Sequence, residues 1–127
     1  MILLDTNYLI RALVPESSEA NRVTGWFKAG EDLCTSVIAW YEFLCGPVDD
    51  EGVLVVKTLL RERIIPFTAD QVSESAKLYN ATGRKRHLRI EAMIAAATII
   101  VNAELATTDT GHFMDFIPLG LKLTKSS

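Results

Sequence analysis

Four acidic residues, Asp5, Glu42, Glu91 and Asp109, carry most of the chemistry this sequence offers. Each closes an apolar run or stands inside one. Asp5 follows Ile2-Leu3-Leu4, and Glu42 stands among Trp40, Tyr41, Phe43 and Leu44. Glu91 lies beside Ile90, Ala92, Met93 and Ile94, and Asp109 comes just after Leu105-Ala106-Thr107-Thr108. An ionised carboxylate in apolar surroundings is costly unless it is paired or binds a cation. Carboxylates gathered together raise one another's pKa, and a divalent ion removes that repulsion. An all-oxygen donor set of this kind suits Mg2+ or Mn2+ rather than Zn2+. Each acid alone has an ordinary reading as well. Glu91 would complement a helix dipole, Asp109 would serve a turn or N-cap, and Asp5-Thr6-Asn7 would cap a short helix. The case for a site therefore rests on whether the fold brings the four together.

The elements that must position them alternate along the chain. Residues 2–4 form a short apolar strand of the kind buried on both faces of a parallel sheet. Residues 16–29 form a helix with Ala20, Val23 and Phe27 on one face, ended by Gly30. Residues 33–37 form a second strand that leads directly into the helical run Ala39 to Cys45, stopped by Gly46-Pro47. Residues 52–62 read as helix, and Ile64 to Phe67 as an edge strand, because Pro66 cannot donate to a ladder. Thr68 and Gln71 make a capping box for a helix whose buried face is Val72, Ala76 and Tyr79, with Gly83 at its end. The strongest helix runs from Leu88 to Val101 on a stripe of Ile90, Met93, Ile94, Ala97 and Val101. A strand at 104–108 precedes Asp109, and Leu119 to Leu123 alternates as an edge strand would.

Strands alternating with helices predict an α/β fold: a three-layer α/β/α sandwich around a short parallel sheet of four to five strands. In such sheets ligands bind beyond the carboxyl ends of the strands. Asp5 and Asp109 end strands at that edge. Crossover helices run antiparallel to the strands, so their first turns, with Glu91 and Glu42, lie there too. The topology is thus expected to deliver four acids from four distant segments to one edge.

Composition sets bounds on function. The 127 residues suffice for one domain with a real core, expected over 1–127, and 49% of them are apolar. The formal charge of −3 argues against a general nucleic-acid coat protein, which would be basic overall, but not against an enzyme that holds nucleic acid locally. No apolar run reaches the roughly 20 residues of a membrane span, and the N-terminus lacks a signal peptide's basic region. Cys34 and Cys45 read as reduced core residues of a cytoplasmic protein. The one dense basic run, Arg84 to Arg89, precedes Glu91 and should flank the acidic edge, where Arg86 and Arg89 are candidate contacts for nucleic-acid phosphates. His87 and His112 are too isolated for zinc. Trp26, Trp40 and Tyr79 are expected in the core or at a dimer contact.

The residues in this arrangement resemble the PIN-domain family. Leu3 to Ile10 is similar to the family's opening motif, a strand ending in Asp-Thr-Asn. Ser36 to Gly46 is similar to the second motif, with Glu42 as its acid. Glu91 to Ala97 is similar to the third, and Thr107 to Phe113 to the fourth. The similarity runs over essentially the whole chain in the right order. The third acid of the family is most often Asp, and here it is Glu91, one methylene longer.

The resemblance implies an endoribonuclease that hydrolyses phosphodiester bonds with Mg2+ or Mn2+. Asp5, Glu42, Glu91 and Asp109 would be the catalytic, metal-holding set, with Thr6, Asn7 and Thr107 orienting them or the scissile phosphate. It also implies an RNA substrate, a homodimer and a small antitoxin protein as partner, as in the toxin half of a toxin–antitoxin pair. An RNA-processing PIN nuclease and an inactive PIN-like binding module are alternatives. A phosphoacceptor receiver domain fits less well, because Asp5 has no acidic neighbour and the expected lysine is missing.

Overall fold

The computed structural model describes residues 1–125. Four strands, β1 (Ile2–Leu4), β2 (Leu33–Ser36), β3 (Ile64–Ile65) and β4 (Glu104–Ala106), form one parallel sheet in the order β3-β2-β1-β4. Seven α-helices flank it: α1 (Thr6–Arg11), α2 (Ser18–Lys28), α3 (Val37–Leu44), α4 (Asp50–Leu60), α5 (Ala69–Ala81), α6 (Arg89–Ile100) and α7 (Thr110–Phe113). This is the α/β/α arrangement expected from the alternating pattern. β1 and β2 are buried throughout, as strands covered on both faces must be. β3 is the edge strand, and Pro66 lies just beyond it, where no ladder hydrogen bond is needed.

The strand order places β1 between β2 and β4, so the chain reverses its direction of winding at the β1/β4 boundary. Such a switch point opens a crevice at the carboxyl edge of the sheet. Local capping brings side chains to it. Ser36 ends β2 and its Oγ accepts from Ala39 N–H, which starts α3 at once and leaves Glu42 in its second turn. Asp5 ends β1 and its Oδ1 accepts the Thr6 N–H at 2.8 Å, so the same carboxylate caps α1. Gly30 and Gly83 take the left-handed conformation just beyond α2 and α5, which relieves the strain a side chain would add there.

Several sequence expectations shift. The buried face of α5 is Gln71, Ser75 and Leu78; Val72 and Ala76 face outward and Tyr79 is half-buried. The stripe on α6 is displaced too. Ala92, Ile94, Ala95, Ala96, Ala97 and Thr98 are buried while Ile90 reaches solvent, because the helix is packed on nearly all sides and its pattern carries little directional information. Cys34 is buried as expected, but Cys45 is exposed, since it falls just past α3 as that helix leaves the core. Leu119 to Leu123 is no edge strand. A 3₁₀ segment occupies Met114–Leu119, and a single bridge joins Leu123 to Leu105. Trp40 packs on Phe43 and Trp26 stacks on Tyr8, both within or against the core.

Candidate functional site

Asp5, Glu42, Glu91 and Asp109 line one cleft of about 150 Å3 at the carboxyl edge, together with Thr6, Asn7, Ile94 and Phe113. The four acids thus share one cleft although Asp5 and Asp109 lie 104 positions apart in the sequence. Asp5 directly follows β1 and Asp109 comes three residues after β4, the two strands that straddle the switch point; Glu42 comes from α3 and Glu91 from the first turn of α6. A larger concavity, about 450 Å3, lies at the opposite edge between Met1, Trp26 and Lys122; it gathers no comparable set of acids.

Hydroxyl and amide donors hold three of the four carboxylates. Thr6 Oγ1 donates to Glu42 Oε1 at 2.8 Å, and Thr107 Oγ1 donates to Asp5 Oδ2 at 2.7 Å. Asn7 Nδ2 donates to Asp109 Oδ2 at 2.9 Å and to Thr108 Oγ1 at 3.2 Å. Thr107 Oγ1 also accepts the Asp109 N–H. Asp109 stands at the N-cap position of α7 but makes no capping bond. Its carboxylate turns to Asn7 instead. Thr6, Asn7 and Thr107 are therefore placed beside the acids. Thr108, Ile94 and Phe113 also border the site; the sequence places Ile94 in an apolar stripe and Thr108 and Phe113 in the fourth motif, with no site role expected of them.

The electrostatics are those of crowded acids out of water. Burial, above all, pushes the Asp5 carboxyl up to about 6 from 3.8; the Thr107 and Thr6 hydrogen bonds pull it down, and the charges of Asp109 and Glu42 push it further up. Glu91 is also raised, chiefly by burial, with Glu42 and Asp109 adding to the shift. A backbone hydrogen bond opposes the shift, as does His112, which lies within electrostatic reach of the cleft.

A hard divalent cation fits this donor set. All the converging atoms are oxygens or an amide, and the acids repel one another without a positive charge among them. Among the described residues no three acidic, histidine or cysteine side chains stand close enough together to hold a metal ion between them. An ion that keeps much of its water and touches one or two carboxylates, as Mg2+ commonly does, needs no such group. Arg86 and Arg89 do not line the cleft. Arg86 is exposed in the 3₁₀ turn before α6, and the Arg89 guanidinium lies 5.7 Å from the centre of the Tyr79 ring.

A parallel α/β/α fold with acids gathered at its switch point defines a class. The sequence matches the PIN domain over residues 2–115, and the chain belongs to the PIN-domain family, whose members are generally nucleases that use divalent metals. The structure is similar to that of FitAcB from Neisseria gonorrhoeae, with a TM-score of 0.72 and 25% identity over 98% of this chain and 97% of that one. It is also similar to a toxin-antitoxin complex from Klebsiella pneumoniae (TM-score 0.71, 24% identity, 89% and 90% of the two chains). VapBC2 from Rickettsia felis, solved bound to a DNA fragment from its promoter, matches with a TM-score of 0.68 and 20% identity over 100% of both chains. Comparison with curated protein sequences finds no significant match. No helix among the described residues is long and apolar enough to cross a membrane.

Proposed function

We propose that this chain is a metal-dependent endoribonuclease, a single PIN domain acting as the toxin of a toxin–antitoxin pair. The observation that carries the reading is the convergence of Asp5, Glu42, Glu91 and Asp109 on one cleft, with separate donors fixing three of them. Asp5, Glu42, Glu91 and Asp109 would hold Mg2+ or Mn2+, directly or through water. When bound there, such an ion supplies a water of lowered pKa and stabilises charge at the reacting phosphate.

The protein's own groups do the rest. Thr107 and the Thr6 N–H direct the two oxygens of Asp5, and Thr6 and Asn7 hold Glu42 and Asp109, so that little reorganisation is needed when ion and substrate arrive. The cationic run Arg84 to Arg89 draws an RNA backbone toward an edge whose acids would otherwise repel it. The toxin role, a small antitoxin partner, a homodimer and a cytoplasmic setting are inferred from the similarity to toxin–antitoxin assemblies.

Withdrawal and return of metal test the reading. Protein stripped with EDTA should leave a panel of labelled RNAs intact, and Mn2+ in excess of the chelator should restore cutting. Cleavage that persists at full rate in EDTA, or no cleavage of any RNA with Mn2+ or Mg2+, would overturn it.

A further inference from the structure

A second feature lies on the other side of α6 from the acidic cleft. Between α5 and α6 runs a groove of about 210 Å3, lined by Phe67, Val72, Ala76, Tyr79, Arg89 and Met93 among others. Val72, Ala76 and Tyr79 recur at helical spacing, the pattern of a core face, yet the core is met by Gln71, Ser75 and Leu78 instead, and Val72 is 51% exposed. The apolar stripe of α5 is thus turned outward. Its volume lies below the roughly 300–1,000 Å3 of pockets that enclose whole drug-sized ligands, and suits one planar ring system.

The groove's upper end is an ordered aromatic–cation pair. Tyr79 Oη donates to the Arg84 carbonyl at 2.9 Å, which fixes the ring, and Arg89 lies over its face. Arg89 and Glu91 stand about 200° apart around α6, so the first turn of this helix separates groove from cleft by about its own 10–12 Å width. The Lys85–Asp115 ion pair, at 2.9 Å, clasps the basic loop to the segment that follows Asp109. Arg84, Arg86 and Arg89 have no acidic partner among the described residues. In a chain of net charge −3, an arginine with no acidic partner thus lines the apolar slot, and two more stand in the loop that leads to it. An occupant that joins planar apolar rings to a polyanionic backbone matches both properties at once.

We infer that the α5/α6 groove, headed by Tyr79 and Arg89, receives an unstacked base of a single-stranded RNA whose neighbouring phosphate lies at the acidic cleft. The inference rests on the ribonuclease reading above. Bases stack on aromatic and guanidinium planes with little regard to identity, so the subsite would anchor the strand more than select its sequence.

Binding in EDTA, where no strand is cut, tests it. A labelled single-stranded RNA is titrated with the protein, using oligonucleotides that carry one abasic nucleotide at each position in turn. One position should weaken binding about 5- to 150-fold, the range of a lost base stack. That penalty should vanish in Tyr79→Leu and persist in Tyr79→Phe, which keeps the ring. RNA that binds with a flat abasic profile overturns the subsite and leaves the ribonuclease reading standing. A Tyr79→Leu protein that changes from dimer to monomer in sedimentation with unchanged RNA affinity makes the groove a protein interface and overturns it as well. If no RNA binds and none is cut with Mn2+, both readings fall. The scan on the wild-type protein decides the matter even if Tyr79→Leu does not fold.

Discussion

The Thr107 hydroxyl ties Asp5 to Asp109: it donates to Asp5 Oδ2 at 2.7 Å and accepts the Asp109 N–H at 3.0 Å. One side chain thereby fixes two acids that arrive from β1 and β4, across the switch point of the sheet. Thr107→Val keeps the shape and removes both bonds. Because the Thr107 bond lowers the Asp5 pKa, its loss should move the acid limb of the pH–rate profile to higher pH. Metal affinity or kcat/KM should fall about 10- to 100-fold, as for other groups that orient ligands. An unshifted profile with full activity would show that Thr107 merely ends a strand.

Asp5 should cost the metal-free protein stability. Its carboxyl titrates at 3.8 in the unfolded chain and at about 6 when folded, so between these values the folded state binds more protons. Stability therefore falls as pH rises through this window, and above about 6 the whole penalty of about 3 kcal/mol is present. Asp5→Asn removes the charge and keeps an oxygen for the Thr6 N–H. In EDTA near pH 7.5 its Tm should exceed that of the wild type, and the difference should close near pH 4. Mn2+ should raise the wild-type Tm and leave the variant's almost unmoved. A variant less stable than wild type in EDTA at neutral pH would contradict the account.

Glu91 is the acid whose type departs from the family's usual residue. Its position in the first turn of α6 aims it at the cleft, and burial raises its pKa. Glu91→Gln should lower the cleavage rate at least tenfold. Glu91→Asp, which keeps the carboxylate one methylene back, should stay within about tenfold of wild type. Equal loss in both variants would mean that the cleft requires the length of the side chain as well as its charge.

The two cysteines offer a check on the fold itself. Cys34 is buried in β2 with its thiol pushed up to about 11 by burial, whereas Cys45 is exposed. A thiol reagent at pH 8 should modify one cysteine rapidly, and Cys45→Ser should abolish that reaction. Modification of Cys34 should wait for unfolding.

What the sequence makes legible follows from how each inference depends on geometry. The placement of the acids needs only the ends of strands and the direction of crossover helices, which an alternating β/α pattern supplies. Asp5 and Asp109 could therefore be put at one edge from apolar runs of three or four residues. Helix faces are harder. α6 is apolar on nearly every side because the fold surrounds it, so periodicity could not tell exposed Ile90 from buried Ala92. On α5 the apolar stripe points away from the core, and the polar Gln71 and Ser75 point inward; only the tertiary arrangement decides that. Cys45 ends an apolar run and reads as core, but α3 stops just before it. Thr108 joins the site through Asn7, a contact between residues 101 apart that no local pattern records.

The central claim is that four acids on one edge make this protein a metal-dependent ribonuclease. Its most direct test is the single-turnover cleavage of labelled RNA with Mn2+ at pH 7.5 by wild-type protein and by Asp5→Asn, each shown to be folded by its thermal melt. The account predicts cleavage by the wild type and a rate at least 100-fold lower in the variant, since Asp5 is the most buried acid of the cleft. Equal cleavage by the two proteins, or none by a folded wild type on any RNA, would contradict it.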